Sequence, residues 1–111
     1  MKVVFHIHDE ERWGTCLANV RNFVEACGEK GYGSIEVVAN GSAVKGYLNE
    51  TVCKKIEGIT LENGVTFSSC QKAMTNQQIN SQDFLINISV VQSGVYRLVE
   101  RQQMGYAYIK V

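Results

Sequence analysis

The hydrophobic pattern of this chain switches back and forth between two periods. Lys2 to Ile7 is a compact run of β-branched and aromatic residues and predicts a first strand. From about Arg12 to Lys30 the apolar positions 13, 16, 17, 20, 23, 24 and 27 recur at helical spacing, and Gly31 and Gly33 end the helix they predict. Ser34 to Ala39, carrying Ile35, Val37 and Val38, predicts a second strand. Asn40-Gly41-Ser42 then turns into a broken helical region between Ala43 and Glu62. Val65 to Ser68 predicts a third strand that runs straight into a helix from Cys70 to about Gln78. After a turn at Asn80 to Asp83, Leu85 to Val91 predicts a fourth strand. Ser93 is a favourable N-cap for a last helix, whose stripe is Val95, Leu98, Val99 and Gln102. Gly105 closes that helix, and Tyr106 to Val111 supplies a fifth strand.

Strands alternating with helices imply a parallel sheet covered on both faces. The expected fold is α/β, with three layers in the order α/β/α around a mainly parallel five-stranded sheet. One segment admits two readings. Asn63-Gly64 between alternating residues is a hairpin signal, so Ile59 to Phe67 reads as two paired strands. Against this, Val52, Ile56 and Ile59 keep a helical spacing and Asn63-Gly64 makes an equally good helix C-cap. The helical reading is favoured.

Length sets the scale: 111 residues form one domain, 1–111, large enough for a core without disulfide or metal staples. Eleven Lys and Arg balance eleven Asp and Glu, and no basic run exceeds Lys54-Lys55, so nucleic-acid and membrane-surface binding have no support. The one apolar run near the start, Val3-Val4-Phe5, is too short for a signal peptide or a spanning helix, which makes the cytoplasm the default location. No G-x-G-x-x-G, P-loop or G-x-S-x-G occurs, so dinucleotide, nucleotide triphosphate and α/β-hydrolase readings lack their marks. No cofactor is expected.

Four cysteines at long, irregular gaps, with no C-x2-C pair, suit free thiols better than disulfides or a zinc site. Cys16 and Cys27 share an apolar helical face with Trp13, Leu17, Val20, Phe23 and Val24, and Cys53 lies beside Val52 and Ile56 on another such stripe. These three read as small core hydrophobes. Cys70 stands apart, flanked by Ser68, Ser69 and Gln71 at a strand-to-helix junction. Unpaired amides and the positive end of the helix dipole gather at such a junction and stabilise a thiolate.

In a parallel α/β sheet the C-terminal ends of all strands share one edge, where ligands bind. The segments following the first four strands are His8-Asp9-Glu10-Glu11, Asn40-Gly41-Ser42, Ser68-Ser69-Cys70 and Gln92-Ser93-Gly94. Together they frame Cys70 with polar groups, and their glycines allow close backbone approach to a ligand. His8, Asp9, Glu10, Asn40, Gly41, Ser69, Ser93 and Gly94 are thus the candidate ligand-binding residues around a candidate catalytic Cys70. Each has a plainer role as well. His6 and His8 alternate along a strand and face one side, but two imidazoles make an incomplete metal site, and none is expected. Asp9 and Glu10 precede a helix and complement its dipole, and capping alone accounts for Ser93. A Cys–His hydrolase needs a histidine oriented toward the thiolate, and His8 is the only candidate at that edge.

Taken in order, His8-Asp9-Glu10, Asn22, Val37-Val38-Ala39-Asn40-Gly41, Gly64-Val65 and Phe67 before Cys70, Val90-Val91 with Ser93-Gly94-Val95, and Arg101-Gln102 with Gly105-Tyr106 are familiar. The chain resembles the DsrE/DsrF-like family of small sulfur-relay proteins, in its compact stand-alone branch, over essentially its whole length. The resemblance implies a three-layer α/β fold and a homotrimer or homohexamer. It also implies that Cys70, matching the cysteine that carries sulfur as a persulfide in relay members, passes sulfane sulfur from a donor protein to an acceptor protein. The chain has Asn40 where relatives often carry a histidine before the glycine. Trp13, Tyr47 and Tyr96 are expected to be exposed near the crevice as interface anchors. Two competing readings come from other classes: a module binding a small anion or other ligand, and an oligomeric partner-binding module, with Cys70 not catalytic in either.

Overall fold

The computed structural model describes all 111 residues, Met1–Val111. Five strands, β1 (Lys2–Ile7), β2 (Ser34–Ala39), β3 (Thr66–Cys70), β4 (Ser89–Val91) and β5 (Ala107–Lys110), form one sheet in the order β4-β3-β2-β1-β5. Every pairing is parallel. The helices are α1 (Trp13–Cys27), α2 (Glu50–Asn63), α3 (Gln71–Asn76) and α4 (Gly94–Gln103).

Strand order and handedness together decide where the helices lie. The connections β1–β2, β2–β3 and β3–β4 all step the same way along the sheet, so right-handed crossovers place α1, α2 and α3 on one face. The last connection returns across the whole sheet to β5, and the same rule sends α4 to the opposite face. Packing agrees with this. Val3, Phe5, Ile7, Val37, Ala39 and Phe67 join Leu17, Val20, Ile56, Ile59 and Met74 in a 20-residue core on the three-helix side. On the other side only Val4, Val38 and Leu98 form a buried apolar cluster. The sheet is therefore covered unequally, three helices against one.

Local chemistry sets the boundaries. The favoured helical reading of the ambiguous segment holds, with residues 59–63 ending α2 and Thr66 and Phe67 opening β3: Asn49 caps α2 by accepting from the Val52 amide at 3.0 Å, and Gly64 ends it in the left-handed conformation at φ 67°. Before it, residues 41–48 of the broken helical region are a long 3-10 turn. Gly28, at φ 55°, ends α1 ahead of the expected Gly31. The expected strand Leu85 to Val91 shrinks to Ser89–Val91. Its first half instead crosses beneath the core, with the Leu85 amide bonded to the Tyr47 carbonyl and the Phe84 ring 5.4 Å from Tyr47. The expected stripe on α4 is also revised. Leu98 is buried, but Val95 and Val99 face solvent, because Arg97 and Arg101 are drawn toward the sheet by the buried Glu36.

Two of the three expected interface aromatics are core residues. Trp13 and Tyr47 are 2% and 0% exposed, their rings 5.3 Å apart, with the indole N–H donating to the Ala43 carbonyl and the Tyr47 hydroxyl to the Ser68 carbonyl. Each ring has its polar atom satisfied internally, so both can leave water. Tyr96 alone is exposed.

Candidate functional site: a thiol corner at the strand ends

Adjacent strands whose following helices go to opposite faces leave a crevice at their C-terminal ends. Here that happens between β3, followed by α3, and β4, followed by α4. Cys70 is the last residue of β3, paired in register with Val91 at the end of β4. The fold thus puts the thiol at its own topological switch point.

Cys70 is also the N-cap of α3, in an extended conformation, so the helix expected from Cys70 to about Gln78 begins one residue later and ends at Asn76. A second helix start meets it. Gly94 opens α4, and a Cβ there would stand 3.3 Å from the Cys70 Cβ and 3.2 Å from the Asn40 Cβ. A side chain at this position would be tight against both, so glycine suits the close start of α4. Ser93 caps α4 by accepting from the Tyr96 amide at 3.2 Å. The starts of two helices, the six-residue α3 and the ten-residue α4, therefore meet at the Cys70 corner.

Cys70 is only 7% exposed, against 0%, 8% and 3% for Cys16, Cys27 and Cys53. Against the expectation that it stands apart from the core, Cys70 joins the same 20-residue apolar cluster as Cys16, and what distinguishes it is its place at the end of a strand between polar loops. Burial pushes the Cys16 thiol up to about 12, and burial also raises Cys53, with the Glu57 charge adding to the effect. Neither is a nucleophile at neutral pH.

The register lines up the remaining groups. Ile7 pairs with Ala39 and Ala39 with Ser69, so the next rung runs His8, Asn40, Cys70 across three strand ends. Asn40 Oδ1 lies 2.9 Å from His6 Nε2 and 3.0 Å from His8 Nδ1. His6 Nδ1 lies 2.7 Å from the Tyr108 hydroxyl. Burial lowers the His6 pKa below 6.5, the Asn40 hydrogen bond opposes this, and the charges of Lys110 and His8 add to the lowering. Gly41 makes room for the cluster: at φ 53°, a Cβ there would sit 2.4 Å from the His8 ring.

The other candidates separate from this corner. Asn40 stands between His8 and Cys70, so His8 is not placed as a base against the thiol. Asp9 and Glu10 lead into the 3-10 turn Glu10–Arg12, where the Glu10 amide donates to Ser42 Oγ at 2.9 Å, and neither carboxylate makes a hydrogen bond. Glu10 lines a different cleft with Lys45, Asn49 and Gln78. Ser69 is fully buried, its hydroxyl without a partner, on the opposite face of the strand from Cys70. No group of three or more His, Cys, Asp or Glu side chains converges to hold a metal ion. His6, Tyr108 and Glu36 are the polar residues that sequence reasoning passed over or read as bland. Only Glu36 carried a signal, as the one charge inside an otherwise apolar strand.

A doubly wound α/β fold with a cysteine at its switch point defines the class. The family model for the DsrE/DsrF-like family matches residues 1–111, and the chain belongs to that family. It is similar to a solved protein of unknown function, MTH1491, from Methanobacterium thermoautotrophicum: 32% identity, 99% of this chain and 98% of that one covered, TM-score 0.87. It is also similar in fold to a conserved protein of unknown function, BT1422, from Bacteroides thetaiotaomicron: 20% identity, 99% and 94% covered, TM-score 0.75. No curated protein matches the chain. No helix is long and apolar enough to cross a membrane.

Proposed function

We propose that this protein is a sulfur carrier that accepts sulfane sulfur on Cys70 and passes it on as a persulfide. The observation that carries the reading is the placement of Cys70, at the switch point and beneath two helix starts, in a chain of the DsrE/DsrF-like family. The Cys70 thiolate attacks the outer sulfur of a donor persulfide. The donor's S–S bond breaks, a new one forms to Cys70, and the donor leaves as a thiolate that takes up a proton. An acceptor thiolate repeats the exchange at the outer sulfur now on Cys70. No electrons are gained or lost overall, so neither a cofactor nor a metal is called for.

The working form is a cytoplasmic homotrimer or homohexamer. Its support is the outer face of α4, where Val95, Tyr96 and Val99 are 63%, 70% and 49% exposed on the helix that begins over Cys70. Aromatic and aliphatic groups in one patch suit a subunit interface. An interface there brings the Cys70 corner to a subunit boundary, which restricts access to a sulfur that hydrolysis or free thiols would otherwise strip.

Loading with a low-molecular-weight persulfide, followed by intact-mass analysis, tests the reading. The protein should gain one sulfur atom, lose it to reductant, and gain none as Cys70→Ser. Equal loading of Cys70→Ser, or no loading of the parent, overturns the proposal.

A further inference from the structure

Asn40 is held more firmly than the start of a loop requires. Its Oδ1 receives two ring nitrogens, His6 Nε2 at 2.9 Å and His8 Nδ1 at 3.0 Å. An amide oxygen only accepts, so both nitrogens carry protons. In the neutral His6 ring, Nδ1 is then a bare acceptor, and the Tyr108 hydroxyl 2.7 Å away donates to it. In this orientation the amide oxygen takes a hydrogen bond from each histidine, and Tyr108 anchors the His6 ring behind them.

With its oxygen committed to the histidines, the amide turns its nitrogen to the other side. Asn40 Nδ2 lies 3.6 Å from the point where a Gly94 Cβ would stand, and the Cys70 Cβ lies 3.3 Å from the same point. The continued register makes Asn40 and Cys70 direct neighbours on the α4 face of the sheet. The amide nitrogen and the Cys70 Cβ thus border one small corner under the start of α4, although the thiol itself packs with the main core.

We infer that Asn40 is the residue that stabilises the sulfur anion on Cys70, donating from its amide nitrogen to the thiolate or to the outer sulfur of the persulfide, while His6, His8 and Tyr108 are positioning residues that hold the amide in that orientation. Its biological meaning rests on the relay reading, but the stabilisation itself acts on the bare thiolate and is measurable without any sulfur donor. An uncharged donor has a functional advantage here. It favours the anion without holding it as tightly as a lysine or arginine would, so the sulfur remains transferable.

The experiment is iodoacetamide alkylation of the full-length protein between pH 5 and 9, with peptide mapping at each cysteine. Asn40→Asp keeps both histidine hydrogen bonds, since a carboxylate oxygen accepts them at least as well, and replaces the Nδ2 donor with a negative oxygen. Cys70 alkylation at pH 7 should fall about tenfold, with the midpoint of the rate profile about one unit higher. Asn40→Ala removes the donor without adding charge and should lower the rate about threefold, a smaller effect in the same direction. Both variants should fall below the parent in that order, and Asn40→Ala is the decisive arm because Asn40→Asp slows Cys70 by repulsion as well: a parent-like rate in folded Asn40→Ala overturns the inference. Cys16, Cys27 and Cys53 report in each variant whether the fold has loosened.

For the positioning residues, His6→Phe should slow Cys70 in the parent background and have no further effect in the Asn40→Ala background, because the amide it orients is gone. Additive effects of His6→Phe and Asn40→Ala would refute that role. Parent-like rate and midpoint in folded Asn40→Asp would overturn the inference. Persulfide loading of the parent is scored separately, so a protein that never loads but obeys this order defeats the relay reading and leaves the role of Asn40 standing.

Discussion

Glu36→Ala is expected to be among the most damaging single changes on the α4 side of the sheet. Glu36 is 2% exposed in the middle of β2, and both carboxylate oxygens are engaged. Oε2 accepts from Arg97 Nε at 3.0 Å and from Ser68 Oγ at 3.0 Å, and Oε1 accepts from Arg101 Nε at 2.6 Å. Burial works against the charge on Arg97, but the hydrogen bond and field of Glu36 outweigh it and raise its pKa. Truncation strands two guanidinium groups and a hydroxyl beneath α4. Removing one partner of a buried ion pair costs about 3–5 kcal/mol. The two arginine side chains are 27% and 21% exposed and partly recover water, so about 3 kcal/mol, the low end, applies.

For a chain of this length that corresponds to a fall in Tm of roughly 12 °C, at roughly 4 °C per kcal/mol. Glu36→Gln keeps the volume and one acceptor and should cost about 1–2 kcal/mol. Urea and thermal unfolding at pH 7 measure both, followed by far-UV circular dichroism and by the fluorescence of Trp13. Trp13 packs on the opposite face of the sheet, so coincident transitions by the two probes establish that the whole domain responds as one unit. A loss below about 1 kcal/mol for Glu36→Ala, the value of an ordinary exposed pair, would refute the claim that this cluster anchors α4.

The state of His6 should appear in the pH dependence of stability. Burial lowers its folded pKa below 6.5, so just below 6.5 the unfolded chain binds more protons, stability falls as pH falls, and the contribution is complete above 6.5. Urea midpoints from pH 5 to 8 should show this slope in the parent and lose it in His6→Gln; identical profiles would contradict it. Alkylation near pH 7.5 should modify Cys70 well before Cys16 and Cys53, whose thiols burial keeps protonated, and mapping that finds Cys16 first would remove the argument for a distinct thiol. Light scattering coupled to size exclusion at micromolar protein should report a multiple of three. Val99→Asp, at a 49% exposed position, should shift it to smaller species with the circular dichroism unchanged, and a monomeric parent would defeat the proposed interface.

The alternation of strands and helices was legible because each element carries its own period and caps. Asn49 and Gly64 bracket α2 by local chemistry, and Ser93 does the same for the start of α4. What failed was anything decided by a partner distant in sequence. Phe84, Ile86 and Ile88 have strand-like composition, yet the core needed a lid beside Tyr47, and burial of side chains outweighed strand pairing. Val95 and Val99 looked like core positions because helical spacing gives a stripe without saying which stripe faces inward. The sheet settled that through Glu36, which selects the Arg97–Arg101 side. Trp13 and Tyr47 were misplaced for a related reason. Their polar atoms found carbonyl partners at residues 43 and 68, and no local pattern reveals a hydrogen bond that spans 21 or 30 residues.

The same division runs through the thiol corner. Sequence placed Cys70 at a strand-to-helix junction and gave it one helix start, because that information is contiguous. Strand order supplied the rest. Since β5 lies beyond β1, the chain must return across the sheet after β4, and that return puts the start of α4 over the end of β3. The parallel register then makes Asn40 the lateral neighbour of Cys70, and β5 brings Tyr108 to His6 from the far end of the chain. A corner built this way depends on the last third of the sequence, although Cys70 and Asn40 lie before it. Gly94 is the joint between the two parts: a Cβ at that position meets Asn40 and Cys70 together at 3.2 and 3.3 Å, so a side chain there would have to shift this corner by a few tenths of an ångström.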